Sequence, residues 1–228
     1  MLLDSNFQVK NEEKMKDETL SDSSQVRNRI LNVSVKLFSK LGYEKTSIDK
    51  ICKEAKVNRA MISYYYGGKL ALYRGIIEKI TNDLTLQLRE LVYNEKGPLR
   101  RLRAFIELNA RHNLLEPHIA EIIVREVGSN LANSGDILLQ HYLQVIAILA
   151  DVIQEGTEKH FFDRTIPPVA LASFVFASLN SFFIMNRLLQ QTGFTPQLDQ
   201  NHIDLITNQL YKLIVDGISA RQTKQVVP

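Results

Sequence analysis

Arg59, Ala60, Ser63 and Tyr64 lie inside the run VNRAMISYYYGGKLALY, Val57 to Tyr73. If that run is helical, Ser63 falls about 40° from Arg59 around the axis, Ala60 about 100° and Tyr64 about 140°. One contiguous face then carries a guanidinium, a methyl, a hydroxyl and a phenol. These are the groups that read a DNA major groove: arginine pairs with guanine through two bonds, a methyl meets the thymine methyl, and hydroxyls reach base edges or phosphates. Val57, Met61, Ile62 and Tyr65 fall on the other side, where they can pack on a neighbouring body. The three consecutive tyrosines therefore separate. Tyr64 faces outward, Tyr65 turns back with its hydroxyl still within reach of a phosphate, and Tyr66 ends the helix as a packing ring.

Around this face lie groups suited to the sugar–phosphate backbone. Thr46 and Ser47 stand where a second helix would begin, with that helix's free N–H groups beside them, and Lys50 is one turn further on. Asn58 is placed to cap the helix that carries Arg59, and Lys69 opens the helix after it. Each of these alone is an ordinary cap or a solvated lysine. Their clustering is what points to DNA.

Such side chains need a frame. Ile30, Val33, Ser34, Leu37, Phe38 and Leu41 follow helical spacing, and Gly42 stands where a C-terminal cap belongs, so a first helix is expected over about 24–41. Thr46-Ser47 precedes a two-turn helix with Ile48, Ile51, Cys52 and Ala55. After a break at Lys56-Val57, a third helix runs to Tyr65. Two short helices joined by a tight turn after a longer one form a helix-turn-helix unit, here over 24–67. Gly67-Gly68 turns the chain into a long helix from Lys69 to about Tyr93. Further helices are expected over 99–115, 117–131, 136–159, 168–190 and 201–219. The whole reads as an all-α protein of about nine helices, with a larger helical domain over 68–228.

Charge supports the division. Residues 25–75 carry eleven Lys or Arg against three acids, net +8, whereas residues 1–24 are net −3 and the remainder net −2. A modest net charge of +3 thus conceals a basic module, which implies a polyanionic partner. The acidic start, 1–23, reads as a mobile tail with no signal-peptide pattern. One cysteine, Cys52, leaves no internal disulfide and fits a reducing, cytoplasmic setting. The uncharged stretch Thr165 to Asn186 is long enough to raise a membrane span, but Pro167, Pro168 and four interior polar residues favour a buried or subunit-interface helix. No phosphate loop, nucleophile elbow or paired-carboxylate signature occurs, so an enzyme acting through the C-terminal helices is the weaker reading. Glu116, His118 and Glu121 are interrupted by a proline and lack a His-x3-His pair, and neither metal nor cofactor is expected.

The segment LFSKLGYEKTSIDKICKEAKVNRAMISYYYGGKLALY resembles the DNA-binding domain of TetR-type transcriptional regulators. The likeness spans Gln25 to Ile76: the G-[YF]-x-x-T-[ST] approach to helix two, the I-[AC] pair, the V-[ST]-x-x-x-[LI]-Y-x-[YH]-F recognition helix and the K-x-x-L opening of helix four. It assigns Arg59, Ala60, Ser63 and Tyr64 to the base-facing surface. Thr46, Ser47, Lys50, Asn58, Tyr65 and Lys69 are assigned to phosphate contact or its support. This chain departs from the pattern at Lys56, where glycine is usual, and at Ala60, Ser63 and Tyr66. Lys56 is accordingly expected to hold a left-handed conformation.

The resemblance also implies a partner and a signal. Presenting two recognition helices about 34 Å apart on successive major grooves requires a homodimer. The apolar helices 168–190 and 201–219 are the expected intersubunit four-helix bundle. The middle helices are expected to enclose a small-molecule pocket whose occupation tilts helix four and releases a palindromic operator. Asn109, His112 and Asn180, polar residues on apolar stretches, are its candidate lining.

Overall fold

The computed structural model describes residues 4–115, 117–193 and 200–219, and of these it leaves undescribed the side chains up to 22 and those of 114, 115, 117, 187, 188, 191, 200, 201 and 203. Among the described residues there are nine α-helices and no strand. They are α1 (Asp4–Lys45), α2 (Ile48–Ala55), α3 (Arg59–Tyr66), α4 (Lys69–Asn94), α5 (Pro98–Leu115), α6 (Pro117–Gly128), α7 (Gly135–Glu158), α8 (Pro168–Gln191) and α9 (Gln200–Ile218). The chain forms two compact units, Met1–Ile76 and Ile77–Pro228, so the division falls within α4 rather than at the Gly67-Gly68 turn.

In the first unit, α1 begins well before the start expected near Ser24, and its helical backbone runs through the segment read as a tail. Gly42 interrupts it with φ 80° and ψ 172°, a conformation that side-chain-bearing residues avoid, so the regular helix ends where the sequence places its cap. The core joins Val26, Ile30, Leu37 and Phe38 of α1 with Ile51 and Ala55 of α2, Ile62 of α3 and Leu72, Tyr73 and Ile76 of α4, all buried. Phe38 meets Tyr73 edge-on at 4.9 Å between centroids, and Tyr43 lies 5.0 Å from Tyr73. Burying some ten large side chains at about 1.5–3 kcal/mol each gives two-turn helices, too short to persist alone, a fixed place.

The second unit is built on α5, α7 and α8, with Phe105, Ile106, Leu149, Ile153, Ala172 and Leu179 at its centre and α9 packed against it through Leu210, Tyr211 and Ile214. At Gly156 an added Cβ would sit 2.1 Å from a ring carbon of Phe162, so only glycine lets the Phe162 ring lie on α7. Arg101 and Arg103 of α5 tie helices together. Arg101 pairs with Glu155 of α7, and Arg103 donates to Asn208 of α9 while lying over the Tyr211 ring.

α6 is shorter than the expected 117–131. Asn130 and Leu131 adopt left-handed φ of 60° and 59°, and the Leu131 N–H closes on the Glu126 carbonyl at 2.9 Å. The buried Glu126 carboxylate then accepts from the backbone N–H groups of Asn133 and Ser134, both at 2.7 Å. It serves the opening of α7, whose own cap residue Ser134 makes no side-chain capping bond.

Candidate nucleic-acid interface and effector cavity

The recognition surface is set by two caps and one unusual turn. Ser47 accepts the Lys50 N–H at 3.2 Å and starts α2; Asn58 accepts the Met61 N–H at 2.9 Å and starts α3. Between them Lys56 takes φ 52° and ψ 51°, the left-handed state expected of it, with backbone N–H groups closing on the Cys52 carbonyl. A left-handed lysine costs about 1–2 kcal/mol that glycine would not. Gly67, with φ 76°, ends α3 through its N–H to the Ser63 carbonyl at 2.9 Å.

With Ile62 fully buried, Arg59, Ala60, Ser63 and Tyr64 are all exposed together on one face, Tyr64 at 83%. Tyr65 is half-buried and meets the Tyr64 ring edge-on at 5.0 Å. Tyr66 turns inward as expected, its hydroxyl donating to the Arg27 carbonyl at 2.8 Å beneath the Arg27 guanidinium. Ser47, Lys50 and Asn58 are exposed around this face. Lys69 lies with its ammonium 4.1 Å from the Tyr43 ring centroid, a cation–π contact between residues 26 positions apart that local spacing does not reveal.

Thr46 requires a correction. Expected to face phosphate, it is buried, and its hydroxyl donates to the Gly42 carbonyl at 2.8 Å while its N–H goes to Tyr43. Its side chain locks the α1–α2 corner and offers nothing to solvent.

Arg59 has a partner on α2. Its Nε donates to Asp49 Oδ1 at 2.6 Å and an Nη to the other carboxylate oxygen, a two-pronged pair exposed to solvent. The hydrogen bond holds the Asp49 carboxyl below its ordinary value and raises the guanidinium. Nothing in the helical wheel of α3 predicts this, because the partner is ten residues earlier on another helix.

The second unit encloses a cavity of about 380 Å³, within the range of small-molecule sites. Its walls are mostly aliphatic and aromatic, with Phe105, Tyr142 and Phe176 among them. Asn109 and His112 of α5 and Asn180 of α8, singled out from the sequence, all line it, joined by Asn113 and His141. His141 was missed although the signal is there: it stands on the same stripe of α7 as the buried Leu138, Val145 and Leu149. Burial lowers its imidazole from 6.5 to about 4, so the ring is neutral at pH 7. Its Nδ1 lies 2.8 Å from the Thr85 hydroxyl, which in turn is 2.8 Å from the Thr81 carbonyl.

Residues 30–76 match the family described as bacterial regulatory proteins, tetR family. The HTH-type transcriptional repressor NicS of Pseudomonas putida is 31% identical over 174 residues, covering 72% of this chain and 78% of that protein. Among solved structures, the fatty acid degradation regulator FadR of Bacillus halodurans superposes with a TM-score of 0.70 at 16% identity, over 86% of this chain and 97% of that one. The ketosteroid transcriptional regulator KstR2 of Mycobacterium tuberculosis gives 0.69 at 14% identity, over 86% and 95%. At such identities these two speak for the fold alone.

Proposed function

Because the chain belongs to the TetR family of bacterial DNA-binding transcriptional regulators, we propose that it acts as a homodimeric repressor which leaves a palindromic operator when a small molecule fills the cavity of its second unit. The observation that carries the DNA-reading half is the exposed face of α3, with Arg59, Ala60, Ser63 and Tyr64 on a segment of net charge +8. Arg59 and Tyr64 address base edges; Ser47, Lys50, Asn58, Tyr65 and Lys69 hold the backbone, and Thr46 supports them from inside. Pairing is assigned to α8 and α9, which leave Val169, Phe174, Leu205 and Leu213 exposed by 61%, 68%, 58% and 70%. A second copy of the chain is the occupant that would cover them.

In this role the protein is a regulator and not an enzyme, working in the cytoplasm. α7 and α8 are long and apolar enough to cross a membrane by length and composition, but both belong to the packed core of the second unit. A fluorescence titration against the DNA upstream of its own gene tests the proposal. Affinity exceeding that for a scrambled duplex and falling steeply with salt is expected. Equal affinity for both duplexes would remove the operator reading, and recovery of the expressed protein in the membrane pool would remove the cytoplasmic one.

A further inference from the structure

Taking the cavity as an effector site leaves open what kind of molecule it accepts. Among its described lining residues none is Lys, Arg, Asp or Glu. A carboxylate, phosphate or ammonium brought there would lose its water without gaining a counter-charge. The polar lining is partly occupied by local bonds. Asn113 donates to the Asn109 carbonyl at 3.0 Å, Asn180 donates to the Phe176 carbonyl at 2.7 Å, and His112 Nε2 lies 3.1 Å from the Gln87 side-chain oxygen.

His141 differs from them. The Thr85 hydroxyl has one proton, and at 2.8 Å the Thr81 carbonyl takes it. With that proton on the Thr81 carbonyl, Thr85 accepts from His141, and this arrangement puts the ring proton on Nδ1. Nε2 is left as a lone-pair acceptor, and it has no hydrogen-bond partner among the described residues. The relay from Thr81 through Thr85 fixes both the orientation and the tautomer of a ring on the cavity wall.

We propose that the cavity takes an uncharged, largely apolar molecule carrying a hydroxyl or equivalent hydrogen-bond donor, and that this donor seats on Nε2 of His141. The depressed basicity of the buried ring agrees, since a protonated imidazole would present a second donor there instead of an acceptor. The apolar body of the ligand fills the space bounded by Phe105, Tyr142 and Phe176. The assignment rests on the reading of the second unit as the effector-sensing part.

Full-length protein titrated calorimetrically, without DNA, with four probes of matched chain length provides the test: 1-decanol, its isomer methyl nonyl ether, decanoate and decylammonium. The alcohol is expected to bind about tenfold more tightly than the ether, which lacks the donor. Both ions should bind at least about a hundredfold more weakly than the alcohol. His141→Phe should level alcohol and ether while retaining the ether, and Thr85→Val, which frees the ring without removing it, should narrow the gap. An ion binding most tightly, an alcohol preference unchanged in both variants, or no binding by any probe would overturn the proposal. Adding the same probes to the protein–DNA complex separates the two readings. Decanol that binds as expected and leaves DNA affinity unchanged upholds the ligand class and removes the effector role. A complex that responds to decanoate or decylammonium but not to decanol upholds the effector role and removes the ligand class.

Discussion

Arg59 is engaged before any DNA arrives. Its two-pronged pair with Asp49 is solvent-exposed, and exposed ion pairs contribute little to stability, so the pair matters for what Arg59 is free to do rather than for the fold. Bidentate recognition of guanine needs the same donors that Asp49 holds. Asp49→Asn removes the competitor and one negative charge from the DNA-facing side. The variant is expected to bind both duplexes more tightly at low salt and the operator more so, giving a several-fold larger ratio of specific to non-specific affinity. An unchanged ratio in a fluorescence titration would deny Asp49 that role. At His141 the consequence is a pH dependence of stability. The unfolded chain takes up a proton near pH 6.5 that the folded ring refuses until about pH 4, so this contribution is intact above pH 6.5 and is lost as pH falls through that window. At pH 5 the loss is about 2 kcal/mol for this group. Chemical denaturation at pH 7 and pH 5 should therefore show a larger drop for the wild type than for His141→Phe; equal drops would contradict the buried neutral ring.

The elements owe their ends to different causes, and this governs what a substitution does. Lys56 closes α2 in the left-handed region, so Lys56→Gly should raise unfolding stability by about 1 kcal/mol while weakening DNA binding at low salt through its lost charge. A loss of stability in urea denaturation would contradict the strain argument. The ends of α2 and α3 and the break in α1 were legible in the sequence because their causes are local: Ser47 and Asn58 cap within three residues, and Gly42 and Gly67 turn the chain themselves. The end of α6 was not legible. Its apolar pattern runs on to Leu131, and what stops it is the chain folding back over the buried Glu126, which caps the next helix from a distance. Thr46 was misread for a related reason. A threonine before a helix reads as a surface cap, whereas here Ser47 caps and Thr46 bonds to the corner behind it. In the cavity, Asn109, His112 and Asn180 stood out as polar residues on apolar stretches. His141 was legible from the apolar stripe it shares on α7, whereas Thr85 as its partner emerges only when α4 and α7 are brought side by side.

At the scale of the molecule, binding two half-sites demands two copies. α8 and α9 leave large apolar side chains uncovered, and a charge there should be tolerated by the protomer but not by the pair. Phe174→Glu combined with Leu213→Glu is expected to run as a monomer in sedimentation, with helical content retained and operator affinity reduced by at least about a hundredfold, since each half then binds alone. A dimer persisting in that variant would place the interface elsewhere. The most direct test of the central claim is a nuclease footprint of the wild-type protein on the DNA upstream of its own gene. Two protected half-sites of inverted sequence, about 34 Å apart on one side of the duplex and lost on Arg59→Ala, are the predicted result. Uniform coating without protected half-sites, or a footprint unchanged by Arg59→Ala, would contradict it.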